Sequence, residues 1–314
     1  MKKLYLLLVL SAILFSKSNK YDLDKAHILA SNWIMNKSDF LDRYLANKHD
    51  TKHLSNTKLN IAYEVGLNTS GGLSNNFDFG LSLRLPRFEK KVKLKIQKVK
   101  EEWNALDNSG NVVSNVGLSS SISNKDKYDL MLQYRGHKGK RSSIGLTGGV
   151  RFNKIFWEPY VGIKAKYIIF QEEKQVLLLR NTLRFYISGE MRDTLYSKYV
   201  RRLGINSQFG WYNNLDYTSK SNKQDLKTEF VLQTSNNNYS FFRTGFIAWA
   251  KLKNFNNPRK ENFEIYTKYH NKMRNKKWMY YEVTPAIEWK RKDNFKPSFT
   301  LKFKIGATFG GTRK

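Results

Sequence analysis

The last hairpin of the chain constrains its fold more than any other stretch. From Met279 to Trp289 every second residue is apolar: Met279, Tyr281, Val283, Pro285, Ile287 and Trp289. Between them stand Tyr280, Glu282, Thr284, Ala286, Glu288 and Lys290. After a polar turn at 291–297 the alternation restarts, with Phe299, Leu301, Phe303, Ile305, Ala307 and Phe309 set against Thr300, Lys302, Lys304, Gly306 and Thr308. A strict period of two marks strands whose two faces meet different surroundings. Both runs exceed the usual strand of about five or six residues. They match the roughly 9–11 residues a tilted strand needs to cross a bilayer. The segment therefore reads as the closing hairpin of an outer-membrane barrel.

The same patterning recurs upstream. Candidate strands run through Leu59–Leu67, Phe77–Leu85 (stopped by Pro86), Val92–Ile96, Val116–Ile122, Tyr128–Tyr134, Ile144–Phe152, Val161–Ile169 and Leu177–Phe185. Two more fall in 192–217, and others at Leu226–Thr234, Tyr239–Leu252 and Phe263–Tyr269. Single-chain bacterial barrels have an even number of strands. These fifteen therefore hold one too many, and the least regular lie near 87–99 and 192–217. The expected fold is all-β: a transmembrane antiparallel up-and-down β-barrel of about 14 strands, with 12 as the alternative. The connectors are rich in Gly, Asn and Ser, as in Asn68-Thr-Ser-Gly-Gly72 and Ser235-Asn-Asn-Asn238, and suit hairpin turns.

Three parts are expected: a signal peptide at 1–16, a helical periplasmic or plug segment at 17–55, and an outer-membrane barrel at 56–314. Lys2 and Lys3 precede an apolar run from Leu4 to Phe15, too short to span a membrane as a helix and suited to an export signal. In residues 21–47 the apolar positions Ala26, Leu29, Ala30, Trp33 and Ile34 follow helical spacing. Leu41, Tyr44 and Leu45 do the same after Asn36-Lys-Ser38, with Ser38 as a cap for a second piece. Two short helices or one kinked helix are predicted, plugging the barrel mouth or resting on its rim.

On a barrel, the face opposite the apolar one carries Arg84, Arg135, Arg151, Lys164, Lys166, Arg180, Arg184, Glu282, Glu288, Lys302 and Lys304. These are the candidate lumen-lining residues. A soluble barrel would turn this charged face to water, and periodicity alone does not separate the two cases. Strand length, the export signal and the aromatic last strand favour the membrane. Glu282 and Glu288, among Lys302 and Lys304, fit a lumenal ion-pair ladder or a cluster that orients a solute.

The end of the chain also carries a resemblance. Phe303, Ile305, Gly306 and Phe309 look like the C-terminal signal that outer-membrane barrels present to their assembly machinery. That pattern normally stops on the aromatic, whereas five residues follow Phe309. Lys277-Trp-Met-Tyr-Tyr-Glu-Val-Thr-Pro-Ala-Ile-Glu-Trp289 and the ending Phe309-Gly-Gly311 resemble an uncharacterised proteobacterial outer-membrane β-barrel protein family. Phe79-Gly-Leu-Ser-Leu-Arg-Leu-Pro86 and Phe40-Leu-Asp-Arg-Tyr-Leu45 look like its early segments. The resemblance implies the fold and the bacterial outer membrane as location. It implies no chemistry.

The formal charge is +30 over 314 residues, or +30 − 2 = +28 once Lys2 and Lys3 leave with residues 1–16. Such a balance suits an anionic solute in a pore or contact with lipopolysaccharide, or reflects a lysine-rich composition without electrostatic purpose. Nucleic acid is not an expected partner, because the export signal argues against it. The chain has no cysteine, which excludes disulfides, thiolate metal sites and a lipidated Cys.

No enzyme constellation is expected. His137, in Gly136-His-Lys-Gly-Lys-Arg-Ser-Ser143, reads as a solvated loop residue. The His49/His53 pair, four apart, lacks a third metal ligand. No cofactor is expected. The expected partners are outer-membrane lipid and lipopolysaccharide, the barrel assembly machinery and a small anionic solute. The leading reading is a pore with a basic lumen. A structural barrel contacting lipopolysaccharide, and a rim-sited lipid-modifying enzyme, are the alternatives.

Overall fold

The computed structural model describes residues 23–46, 57–69, 72–84, 92–98, 128–139, 141–152, 157–237, 239–252 and 258–311. The export signal expected at 1–16 and the His49/His53 pair lie outside them. The strands are β1 (Thr57–Asn68), β2 (Leu73–Arg84), β3 (Val92–Lys98), β4 (Tyr128–Lys138), β5 (Ser142–Phe152), β6 (Trp157–Gln171) and β7 (Gln175–Tyr186). They continue as β8 (Met191–Arg202), β9 (Ser207–Thr218), β10 (Lys223–Ser235), β11 (Ser240–Leu252), β12 (Pro258–Lys272), β13 (Met279–Lys290) and β14 (Pro297–Gly311).

Each strand pairs antiparallel with its chain neighbours, and β1 pairs with β14 from Thr57↔Gly311 to Asn68↔Thr300. Closure leaves the ladder without a free edge, the condition for backbone to sit in hydrocarbon. The segments 87–99 and 192–217 contribute β3, β8 and β9. The strand expected at 116–122 lies outside the described residues, where β3 pairs directly with β4.

The two faces of each strand differ as their alternation requires. On β14, Phe303 is 47 % exposed and Lys304 only 4 %. The exposed large apolar side chains include Leu132, Leu146, Ile163, Trp211, Phe246, Ile265 and Leu301. They ring the outside, while charged and tyrosine side chains bury one another inside. That inversion relative to a soluble domain fits a barrel surrounded by lipid.

A helix, α1 (Leu23–Ala46), precedes the barrel among the described residues. It is continuous through Asn36-Lys-Ser38, where the sequence predicts a break. Ser38 does not cap a second helix. It is buried mid-helix and accepts a 2.6 Å hydrogen bond from the Thr57 hydroxyl. Packing on the barrel outweighs the local preference of Ser for a helix start.

Candidate functional site

The inward face of the barrel is the chemically distinctive surface, and its register sorts it into two walls. One wall is built by β10–β14 with β1 and β2. Here opposite charges meet. Glu282 stands opposite Lys304 and opposite His270 in the ladder. Its carboxylate lies 3.4 Å from Lys268 Nζ and 3.1 Å from His270 Nδ1. Lys304 reaches over β1 to Asp78 at 2.7 Å. Arg243 donates to Glu229 at 3.1 Å, and the Tyr266 hydroxyl donates to the same carboxylate.

Glu264 and Glu288 are a like pair opposite each other. Lys302 sits between them, at 3.7 and 3.8 Å. All of these groups are buried, and Glu229 and Glu264 are only 1 % exposed. The wall is an ion-pair lattice, one of the two readings the sequence left open for Glu282 and Glu288. It recruits Asp78, Glu229, Arg243, Glu264, Lys268 and His270, which the sequence reading did not single out.

This wall packs through a repeated device. The Tyr280 ring lies over Gly306, directly opposite it, and the Tyr266 ring lies over Gly245 in the same way. A Cβ on Gly306 would stand 2.3 Å from the Tyr280 ring, so only glycine admits the ring there. Gly306 is therefore an inward packing position, while Phe303, Ile305 and Phe309 share the outward face.

The other wall, β5–β8, is organised by cations over tyrosines. The Arg151 guanidinium lies 4.5 Å from the centre of the Tyr186 ring, Arg180 4.6 Å from Tyr196, and Arg184 5.4 Å from Tyr160. Arg151 also lies 3.8 Å from Asp129 on β4, and Arg192 3.3 Å from Asp216 on β9. Like charges face each other in the ladder: Lys166 opposite Arg180, and Arg184 opposite Arg192. Directly opposed like charges destabilise a sheet. The Nη2 of Arg180 is buried with no hydrogen-bond partner among the described residues. Lys164, opposite Thr182, extends this basic strip.

Arg84 and Arg135 lie on β2 and β4 opposite Lys93 and Gly145, and their side chains fall outside the described residues. His137 is exposed on β4. Among the described residues no hydrogen bond joins it to a serine, and none forms a metal-ligating cluster of His, Asp and Glu.

No family model matches the chain, and no curated protein sequence does. Solved structures match it in fold. The outer membrane channel DcaP of Acinetobacter baumannii superposes with a TM-score of 0.52 at 8 % identity, covering 82 % of this chain and 97 % of that one. OprB of Pseudomonas putida, solved at high pH, gives 0.53 at 9 % identity, covering 88 % and 97 %. The chain thus has the fold of outer-membrane channel barrels.

Proposed function

We propose that this protein is a narrow outer-membrane channel for small anionic solutes. The observation that carries the reading is the basic strip of β6–β8. Lys166 faces Arg180 and Arg184 faces Arg192 there, which gathers positive charge on one stretch of the wall even with Asp216 beside Arg192, and such a stretch attracts an anion. The lattice opposite sets its cations against acids, so the strip carries the excess positive charge of the inward face. The fold shared with DcaP, a channel by description, supports the same reading.

In this reading residues 1–16 are a cleaved export signal. The family seen in the C-terminal hairpin is the source of the fold, and the assembly machinery engages Phe303, Ile305, Gly306 and Phe309. In planar bilayers the purified protein should give small conductance steps. A salt gradient should show anion preference, weakened by Arg180→Glu and Lys166→Glu. Absence of conductance, or cation preference in the wild type, overturns the reading. A second reading, a closed structural barrel, draws on the near-complete burial of Glu229, Glu264 and Glu288. Absence of conductance would favour it.

The lipid-facing side has its own test. Cys placed at Phe303 should react with a membrane-embedded probe and Cys at Lys302 with a small aqueous one. Equal aqueous labelling would sink the membrane placement.

A further inference from the structure

The helix α1 is the one described element outside the sheet ladder that is longer than a turn, and its two sides differ in kind. One side holds the barrel. β14 runs past the end of β13, so Thr308 and Gly310 would leave ladder groups unpaired there. The His27 imidazole donates to the Thr308 carbonyl at 3.0 Å, and the Gly310 amide donates to Ser31 Oγ at 3.1 Å. Residues four apart on a helix rise about 6 Å, close to the two-residue repeat of a strand, so one turn of α1 continues the ladder.

The helix lies on the outer side of the wall. His27 stacks on Trp278 at 4.3 Å and packs on Phe309 at 5.2 Å, and Phe309 belongs to the outward face. Thr57, which reaches Ser38, has the same outward parity on β1 as Leu59 and Ile61. Both contacts fall at the terminal end of the barrel, where β1 begins and β14 ends.

The opposite side of α1 carries Leu29, Trp33, Phe40 and Tyr44. Projected at about 100° per residue they share a sector of roughly 60°, facing away from the barrel contacts. Trp33 is 63 % exposed and Tyr44 75 %, and Phe40 and Tyr44 stack on each other at 6.4 Å. Lys25, Lys37 and Arg43 flank this stripe. Asp24 and Asp42 turn toward the barrel, where Asp24 accepts from Trp278 Nε1 at 2.9 Å and Asp42 is fully buried.

We infer that α1 is an interfacial anchor: it lies in the headgroup region of the lipid leaflet at the terminal end and sinks Leu29, Trp33, Phe40 and Tyr44 among the acyl chains. Continuity with the outward face at Phe309 selects lipid as the occupant. Basic residues beside an aromatic stripe form the pattern that holds a helix at a phosphate-rich interface; Asp24 and Asp42 are turned away from it, and Asp39 pairs with Arg43 at 3.5 Å, so Lys25 and Lys37 supply the charge for the headgroups. The inference rests on the barrel being membrane-embedded, and it does not depend on whether the barrel conducts.

The test uses the full chain in phosphatidylethanolamine/phosphatidylglycerol vesicles. Because the protein has no cysteine, Phe40→Cys and Asn236→Cys each carry a single environment-sensitive fluorophore. Asn236 is exposed in the β10–β11 turn at the same end of the barrel, away from α1. The Phe40 label should be quenched several-fold more by bromine-labelled acyl chains than the Asn236 label, and several-fold less by iodide. Equal iodide quenching overturns the proposal. Protection of the Phe40 label from both quenchers also overturns it, because protein, such as a second copy, then covers the stripe. Quenching of a label at outward Leu301 by brominated lipid, measured in parallel, separates failure of this inference from failure of the membrane reading.

Discussion

The two inward walls use the same residue types and arrive at opposite electrostatics. Across β10–β14 and β2 buried cations meet acids: Lys304 has Asp78, Arg243 has Glu229, Lys268 has Glu282. Across β6–β8 the ladder sets Lys166 against Arg180 and Arg184 against Arg192, with tyrosine rings beneath the guanidinium groups. Composition does not make this difference. Register does, by deciding which side chain stands opposite which. A lattice of matched pairs spends its charge on holding the barrel, while the β6–β8 strip sets cations side by side and meets its acids, Asp129 and Asp216, on the strands that flank it.

The comparison breaks first at Glu229. Replacing it with Gln leaves the Arg243 guanidinium buried without its carboxylate. Unfolding in urea, followed in vesicles by tryptophan fluorescence, should show a loss of about 3–5 kcal/mol. A loss below about 1 kcal/mol would mean that the matched wall is not held by its pairs.

Lys302→Met comes next, because Glu264 and Glu288 then face each other uncompensated; a loss of about 3 kcal/mol is expected. Changing both acids to Gln in the same chain should recover most of it. Additive losses would contradict the lattice.

Gly245→Ala should cost about 1–3 kcal/mol by forcing the Tyr266 ring off its seat, which can be read as a lower urea midpoint. The smallest effect belongs to the basic strip. Arg180→Met gives up a stack on Tyr196 worth about 0.5–2 kcal/mol but relieves its repulsion with Lys166, so stability should stay within about 1 kcal/mol of wild type. The same variant should weaken anion preference in bilayers, by less than Arg180→Glu does. A large stability loss there would make the strip structural after all.

How far the sequence reached follows from the same distinction. The outward face was readable because lipid and protein interior impose alternation residue by residue: Phe299, Leu301 and Phe303 declare their side without help from any other strand. Neighbouring strands were readable as antiparallel pairs, but the contacts that cross more than one strand were not. The expectation set Glu282 and Glu288 among Lys302 and Lys304. In the barrel Glu282 does stand opposite Lys304 and Lys302 lies 3.8 Å from Glu288, but Lys304 also reaches Asp78 two strands away and Glu282 is also held by Lys268 and His270, partners on other strands.

Register of this kind depends on turn lengths and on irregularities at Arg135/His137 and Ile168/Phe170, and a shift by one residue exchanges the faces. Extending the parity of Ile265 along β12 would have found Glu264, Lys268 and His270. No local signal marks Gly306 as the seat of Tyr280, since that relation exists only between strands. Of the two expectations for 21–47, two short helices or one kinked helix, the structure has one helix running through Asn36-Lys-Ser38, which reads locally as a stop.

The seat of α1 is assembled from the first and the last strand of the barrel. Its contacts come from Thr308, Phe309 and Gly310 at the finish of β14 and from Thr57 at the start of β1. Those residues adjoin only once the ring has shut. A segment that precedes every strand in the chain must therefore be the last to find its place. Its docking acts as a latch thrown by closure, and protease resistance of residues 23–46 becomes a clock for the final step of barrel assembly.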